Sequence, residues 1–459
     1  MKETIHIYHT NDIHSHFENW PRIEKFLKEK KRQHEERNEN VFLFDIGDFA
    51  DRFHPLTEGT MGQGNTDLLN DIGVNAVTIG NNEGITLPFS ALNHLYDASN
   101  FDVIVANLFY KDGSRPAWAK PYEVYETKQA KKIIVTGVTT YYEKLYSLLG
   151  WEIAEPFEML ARTLEEIKNK EQADMIIVLS HLGIYDDEKI ADVFPQVDLV
   201  LGSHTHHHLP EGKMVNETIL AACGRYCEYV GEIIVECKYG QAKPAITVQT
   251  HEISSLDIVE NEKDIEQRLF DQGKELLHVE AATIPDPLEY EWSDTSPLGE
   301  LLCEAIYEWC KADCAIINSG LFLRSLKEGR VTKYDLHQML PHPINPCAIE
   351  LTGQELKEIV FHMENENWPH VNVKGLGFRG KVMGKFLYYN IEINHERLEV
   401  RIGGKPIDPK RIYRLGAIDM YTFGSYFPEI RKAEHKEYYM PEFLRDVMEW
   451  KLQQVYGEK

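Results

Sequence analysis

Residues 1–250 alternate short apolar runs with longer amphipathic stretches. Val41-Phe42-Leu43-Phe44, Asp102 to Ala106, Lys132 to Val135, Asp174 to Leu179 and Val197 to Leu201 are rich in Val and Ile. Runs of this length and composition predict strands buried on both faces. Thr4-Ile5-His6-Ile7-Tyr8 alternates polar and apolar residues, which predicts a strand at the very start. Between these runs, Ile23 to Glu36 and Phe157 to Gln172 carry helical periodicity. Strands interleaved with helices predict an α/β fold. The pattern changes from about Ser254 to Val279, where Ile265, Leu269 and Leu276 share one face of a charged helix. A Pro-containing stretch, Ile284-Pro285-Asp286-Pro287-Leu288, follows it. The expected organisation is a first domain over residues 1–255, a linker helix over 256–285 and a second α/β domain over 286–459.

Charge narrows the range of partners. The 459 residues hold 49 Lys and Arg against 74 Asp and Glu, a formal charge of −25. A nucleic-acid polymer needs a basic face that displaces counterions, so it is excluded as a general partner. An anionic membrane surface is disfavoured for the same reason. A small phosphorylated substrate stays open, because bound metal ions reverse the field locally. No apolar run approaches the ~18 residues of a membrane span. Met1 to Tyr8 shows no basic-then-apolar leader. The seven cysteines, among them Cys223 and Cys227, are scattered without zinc-finger spacing. They read as reduced thiols, and the expected location is the cytoplasm.

The residues suited to metal chemistry stand at the C-terminal ends of the predicted strands. Thr10-Asn11-Asp12-Ile13-His14 follows the first strand, and Asp45-Ile46-Gly47-Asp48 follows the second. Gly80-Asn81-Asn82-Glu83, Ser180-His181 and Gly202-Ser203-His204-Thr205-His206 end three more. Ligands of α/β sheets bind outside the carboxyl ends of strands. Each piece alone is weak: with 20 histidines, His-x-His arises by chance about once. An Asp in a Gly-Asp turn is ordinarily a turn or cap residue. The ordered recurrence of five such pieces carries the signal.

That ordered set resembles the metallophosphoesterase (calcineurin-like) superfamily, and within it the bacterial 5'-nucleotidase family. In the second half, Ile317-Asn318-Ser319-Gly320 with Arg324, and Gly329-Arg330-Val331-Thr332-Lys333-Tyr334-Asp335-Leu336, resemble that family's C-terminal domain. The resemblance implies an N-terminal α/β/β/α sandwich and a C-terminal substrate-binding α/β domain. It also implies two divalent metal ions and a small phosphorylated substrate, of nucleotide type. By resemblance Asp48 bridges the metals. Asp12, His14 and His206 complete one site, and Asn81, His181 and His204 the other. Imidazole with carboxylate accepts manganese, zinc, iron or cobalt alike. His16, His207 and His208 read as surface or supporting residues.

Two departures qualify the resemblance. The family's Gly-Asn is normally followed by His-Glu and then Asp, and that His–Asp pair is thought to assist the leaving group. Here Asn82 stands in the His position and Ile85 in the Asp position. Asn donates a hydrogen bond but transfers no proton. Loss of a general acid costs about 10²–10⁴ in rate. The family's base clamp pairs two aromatic rings, one near a Gly-Gly-Asp-Gly stretch that is absent here. Phe378, with Tyr421 or Tyr426, is the candidate clamp, against the reading that these rings belong to the core. Arg324 is the candidate anion contact, against a surface ion pair. The expected function is a metal-dependent phosphoesterase with Asn82 donating at most a hydrogen bond. The alternatives are a phosphodiesterase or cyclic-nucleotide hydrolase, and a catalytically weak nucleotide-binding protein that retains metals.

Overall fold

The computed structural model describes residues 2–238, 244–375, 377–424 and 426–457. Packing divides the chain into two units, Met1–Gly273 and Lys274–Lys459, and the helix Glu262–Leu276 crosses that division.

The first unit is a sandwich of two sheets. One sheet has seven strands, in the order Ala245–Glu252, Tyr229–Lys238, β1 (Lys2–Thr10), β2 (Asn40–Asp45), β3 (Ala76–Val77), Asp102–Ile104 and Ala119–Lys120. The other has six, in the order Lys213–Val215, Thr218–Ala221, Leu199–Gly202, Met175–His181, Lys132–Thr139 and Tyr122–Glu126. Alternation along β1 sends Ile5 and Ile7 into the space between the sheets. There they meet Phe42 and Phe44 of β2 and Ile133, Val135, Ile177, Leu179, Leu199 and Leu201 of the facing sheet. Each such side chain, removed from water, contributes about 1.5–3 kcal/mol.

Helices cover the two outer faces. Leu160, Leu164 and Ile167 of the helix Pro156–Lys170 pack on Ile134, Val178 and Val200. On the opposite side α1 (Trp20–Glu36) buries Trp20, Ile23, Leu27 and His34. Its Pro21 is accommodated in the first turn, where a backbone N–H is dispensable. Its His34 lies 2.9 Å from the Tyr8 hydroxyl on the outer face of β1. The layering is the α/β/β/α arrangement expected from the sequence.

β1, β2 and β3 run parallel, and so do Lys132–Thr139, Met175–His181 and Leu199–Gly202. Their carboxyl ends are therefore brought to one edge. Asp12 N–H donates to the Gly47 carbonyl (3.1 Å) and His14 N–H to that of Asp48 (2.8 Å). Across the sandwich the His181 ring meets the Ile46 carbonyl at 2.7 Å.

The second unit has a five-stranded mixed sheet, in the order Phe386–Tyr389, Cys314–Asn318, Ile412–Ile418, Pro346–Thr352 and Lys436–Tyr438. The helices Pro297–Trp309, Gly353–Met363 and Leu444–Tyr456 accompany it. The stretch Gly329 to Leu336 forms a strand, Gly329–Thr332, and the start of a helix, Lys333–Met339. Thr332 and Asp335 cap that helix reciprocally. Gly329–Thr332 pairs with Glu280–Ile284, so those five residues form a strand of this unit. All seven cysteines are free thiols. Among the described residues, no helix is long and apolar enough to cross a membrane.

Candidate metal centre

Backbone strain marks the strand ends. Asp12, His14, Asp48, His204 and His206 all have φ between +50 and +71°. A side chain held there costs of order 1–3 kcal/mol, which the surrounding hydrogen bonds must offset. Gly47 precedes Asp48 at φ +84°, and a Cβ there would stand 2.4 Å from the Gly80 nitrogen. Gly80 is equally constrained: a Cβ on it would meet Asp48 Oδ1 at 2.1 Å and His181 Cε1 at 2.6 Å. Both glycines let the second and third loops close on each other.

The loops gather two groups of ligand-type atoms. Asp12, His14 and His206 form one and Asp48, His181 and His204 the other, each group's atoms within 4.8 Å of one another. His14 Nε2 and His206 Nε2 are 3.1 Å apart. Asp12 Oδ1 lies 3.6 Å from His206 Nε2 and 3.9 Å from His14 Nε2. The Asp48 carboxylate stands between the groups, with Oδ2 3.7 Å from His14 Nε2 and 3.4 Å from His181 Nε2. Asn81, next to Gly80, buries an Oδ1 with no hydrogen-bond partner. His16, His207 and His208 stand outside both groups.

A second layer of contacts fixes these atoms. Asp12 Oδ2 accepts from Ser203 Oγ (2.7 Å), Asn11 Nδ2 (2.8 Å) and His204 N–H (3.1 Å). Glu83 accepts from the N–H groups of Asp48 (3.0 Å), Ala50 (2.8 Å) and Gly80 (2.8 Å), which clamps two loops together. Asp48 Oδ1 accepts from Asn82 N–H at 2.7 Å, leaving Oδ2 to face the histidines. His14 Nδ1 is flanked by Asp51 Oδ2 at 3.3 Å and the Asn82 amide at 2.8 Å. Asn82 is buried, so its side chain supports His14 rather than projecting from the site.

The donor set fits divalent cations. His181 is fully buried and its Nδ1–H donates to the Ile46 carbonyl, which turns Nε2 toward Asp48, and that nitrogen has no hydrogen-bond partner. A buried lone pair facing a carboxylate is costly without a proton or a cation between them. Burial opposes charge on His181, yet the Asp48 carboxylate outweighs it and raises the ring's pKa to about 10. Burial lowers His204 to about 4 and His206 to about 3, with neighbouring His181 and His14 adding to the effect. Those rings are neutral near pH 7, the state in which imidazole ligates metal.

Sequence reasoning passed over several residues here. Ser203 and Asn11 lie inside the runs it singled out and Asp51 three residues past one, but supporting roles have no spacing signature. Tyr142 follows the strand Lys132–Thr139, and its hydroxyl lies 3.5 Å from His204 Nε2. The Thr139-Thr140-Tyr141-Tyr142 run is a sixth polar strand end, a signal available in the sequence. Arg225 stacks over Tyr226 at 4.5 Å and reaches His206 Nδ1 at 3.2 Å, with nothing local to announce it.

In the second unit the candidate clamp rings lie as follows. Tyr421 is fully buried among Phe386 and Phe427, and its hydroxyl donates to Asn318 Oδ1 at 2.7 Å. Phe378 is buried and stacked on His342, centroids 5.0 Å apart. Neither ring offers an open face, because core packing already covers both. Tyr426 is half-buried, edge-on to Trp368 at 6.1 Å, and Arg324 is exposed. Leu376 and Ser425, neighbours of these candidates, lie outside the described residues.

Comparison with known proteins identifies the family. Residues 5–208 match the calcineurin-like phosphoesterase family, and residues 280–425 match the 5'-nucleotidase C-terminal domain. The uncharacterized metallophosphoesterase YunD of Bacillus subtilis is 43% identical, over 99% of this chain and 100% of its own length. A 5'-nucleotidase of Vibrio cholerae is 24% identical over 76% of this chain and 74% of its own. The NAD nucleotidase structure from Haemophilus influenzae superposes with a TM-score of 0.67 at 16% identity, over 99% of this chain and 96% of that one. At that identity the likeness is one of fold.

Proposed function

Because the chain belongs to the calcineurin-like metallophosphoesterase family and carries a 5'-nucleotidase C-terminal domain, we propose that it hydrolyses a nucleotide or related small phosphate ester at the Asp48-centred site. The observation that carries this reading is the Asp48 carboxylate set between two Asp/His groups, beside a buried His181 nitrogen with no hydrogen-bond partner. Asp12, His14 and His206 would hold one divalent ion, Asn81, His181 and His204 a second, and Asp48 both. Such ions, when bound, neutralise phosphoryl charge and acidify water.

The chain's own residues then set the chemistry. Asp51 and Asn82 hold the His14 ring, Ile46 holds His181, and Ser203 with the His204 N–H holds Asp12. Support of this kind typically accounts for 10–100-fold in metal affinity. Asn82, committed to His14, supplies no proton to a departing group. The Tyr142 hydroxyl, at the mouth of the site, is placed to donate a hydrogen bond to a phosphoryl or leaving oxygen. The reading therefore favours esters whose leaving groups depart without a strong acid.

Purified protein loaded with manganese and assayed on nitrophenyl phosphate, its bis-ester and AMP tests this. Turnover of the activated monoester above AMP supports the reading. Turnover of the bis-ester alone moves the assignment to a phosphodiesterase. Tight nucleotide binding without turnover of any ester makes the protein a binding module that keeps its metals.

A further inference from the structure

A second group of ligand-type side chains lies on the other face of β1, under α1, and the phosphoesterase chemistry leaves it unused. It comprises His6 of β1, His34 near the end of α1 and Glu39 in the turn that follows, with ligand atoms within 4.8 Å of one another. His6 stands four residues, about 13 Å, before the end of β1. His6 and His34 are buried, and their rings stack with centroids 3.7 Å apart.

The hydrogen bonds around the pair decide which nitrogens carry protons. Tyr8 has one hydroxyl proton, and it is donated to Glu232 Oε1 at 2.8 Å. Toward His34 Nε2, 2.9 Å away, the same hydroxyl can only accept, so Nε2 carries the hydrogen. Glu232 Oε1 also lies 3.0 Å from His6 Nδ1, which must donate to it. The other Glu232 oxygen is held by Gln249 Nε2 and His251 Nε2, each at 2.7 Å. In their neutral forms both rings therefore turn a bare nitrogen toward Glu39 Oε2: His34 Nδ1 at 2.8 Å and His6 Nε2 at 3.6 Å. Three ligand-type atoms with lone pairs thus stand within 4.8 Å of one another.

We infer that His6, His34 and Glu39 form a separate binding site for a divalent cation of borderline softness, such as zinc. Two imidazoles and a carboxylate suit that ion and leave a fourth position for water. Ligand atoms on a zinc tetrahedron stand about 3.3 Å apart, close to the two separations from Glu39. Glu232 on His6, and Tyr8 on His34, supply the outer contacts that orient ligating histidines. The ion would tie the end of α1 to β1 in a part of the first unit remote from Asp48.

Zinc stoichiometry of the full chain tests this site. The protein is stripped with a chelator, reloaded with zinc, desalted and measured by elemental analysis. Glu39→Gln and His34→Gln are each expected to hold one zinc per chain fewer than wild type, with hydrolysis of nitrophenyl phosphate unchanged. The difference does not depend on how many ions the phosphoesterase site holds. Cobalt-loaded wild type should show a tetrahedral visible band that Glu39→Gln lacks. Glu39 is partly exposed, so that variant decides the matter if His34→Gln fails to fold. Equal zinc in wild type and Glu39→Gln overturns the inference and leaves a proton, on His34, between ring and carboxylate. A Glu39→Gln variant that also loses hydrolysis overturns the separateness of the site.

Discussion

Placing a His–Asp pair at positions 82 and 85 is the sharpest probe of the proposed site. Asn82 and Ile85 lie three residues apart on the helix Asn81–Thr86, so their side chains share a face. Asn82→His with Ile85→Asp would place an imidazole beside a carboxylate that orients it. Two effects then compete. Removing the Asn82 amide strips one of two supports from His14 Nδ1 and leaves Asp51 at 3.3 Å. That should weaken metal binding about 10–100-fold, or about 1.4–2.7 kcal/mol. The backbone bond from residue 82 to Asp48 Oδ1, at 2.7 Å, survives either substitution. A positioned general acid lowers the barrier by about 3–5 kcal/mol, or 10²–10⁴ in rate. At saturating manganese the loss is masked and the gain remains. The assay is kcat on AMP and on nitrophenyl phosphate, with metal content measured on the same samples. AMP turnover should rise at least about 10-fold, while nitrophenyl phosphate, whose leaving group needs no acid, changes little. Asn82→His alone should gain less, because its ring lacks an orienting carboxylate. An unchanged ratio of the two rates, in a double variant that holds wild-type metal, would falsify the assignment of the deficit to positions 82 and 85.

Other outcomes can be checked independently. Asp48→Asn should leave at most one ion at the phosphoesterase site and cut kcat/KM by at least about 10²–10³-fold, and full metal content in the variant refutes bridging. Tyr142→Phe should slow AMP hydrolysis about 10-fold and spare nitrophenyl phosphate; equal losses on both esters remove Tyr142 from the leaving-group contact. In the second unit His342 is fully buried, donating Nε2–H to the Leu321 carbonyl (2.7 Å) and accepting the Arg379 N–H (2.8 Å). Burial, with some help from Arg379 and Arg445, lowers its pKa to about 3. The unfolded ring binds a proton from about pH 6.5 downward while the folded ring does not, so stability falls as pH drops from there toward 3, by about 1.4 kcal/mol per unit. Urea midpoints between pH 7 and pH 5 should show a steeper decline in wild type than in His342→Gln, and parallel slopes would count against His342 as the source.

The sequence alone determined the parts whose signal is local. Buried runs such as Val41–Phe44 and Asp174–Leu179 announce strands because a two-sheet sandwich hides them on both faces. A residue just past a parallel strand necessarily projects at the sheet's carboxyl edge, so Asp12, Asp48, His181 and His204 were legible as a set before any contact was known. Tertiary structure decided everything that depends on what stands opposite. His14 and His206 are 192 residues apart, and His6 and Glu232 are 226 apart. No spacing rule predicts that those side chains meet, or that His34 and Glu39 face His6 beneath α1. The same holds for Asn82, whose residue type was plain but whose amide turns to His14 because the 80–82 turn closes on Asp48. Tyr421 and Phe378 carried an aromatic signal that suits a base clamp and a core equally. Only the packing of Phe386, Phe427 and His342 against them assigned them to the core, since burial belongs to the assembled fold and not to the residue.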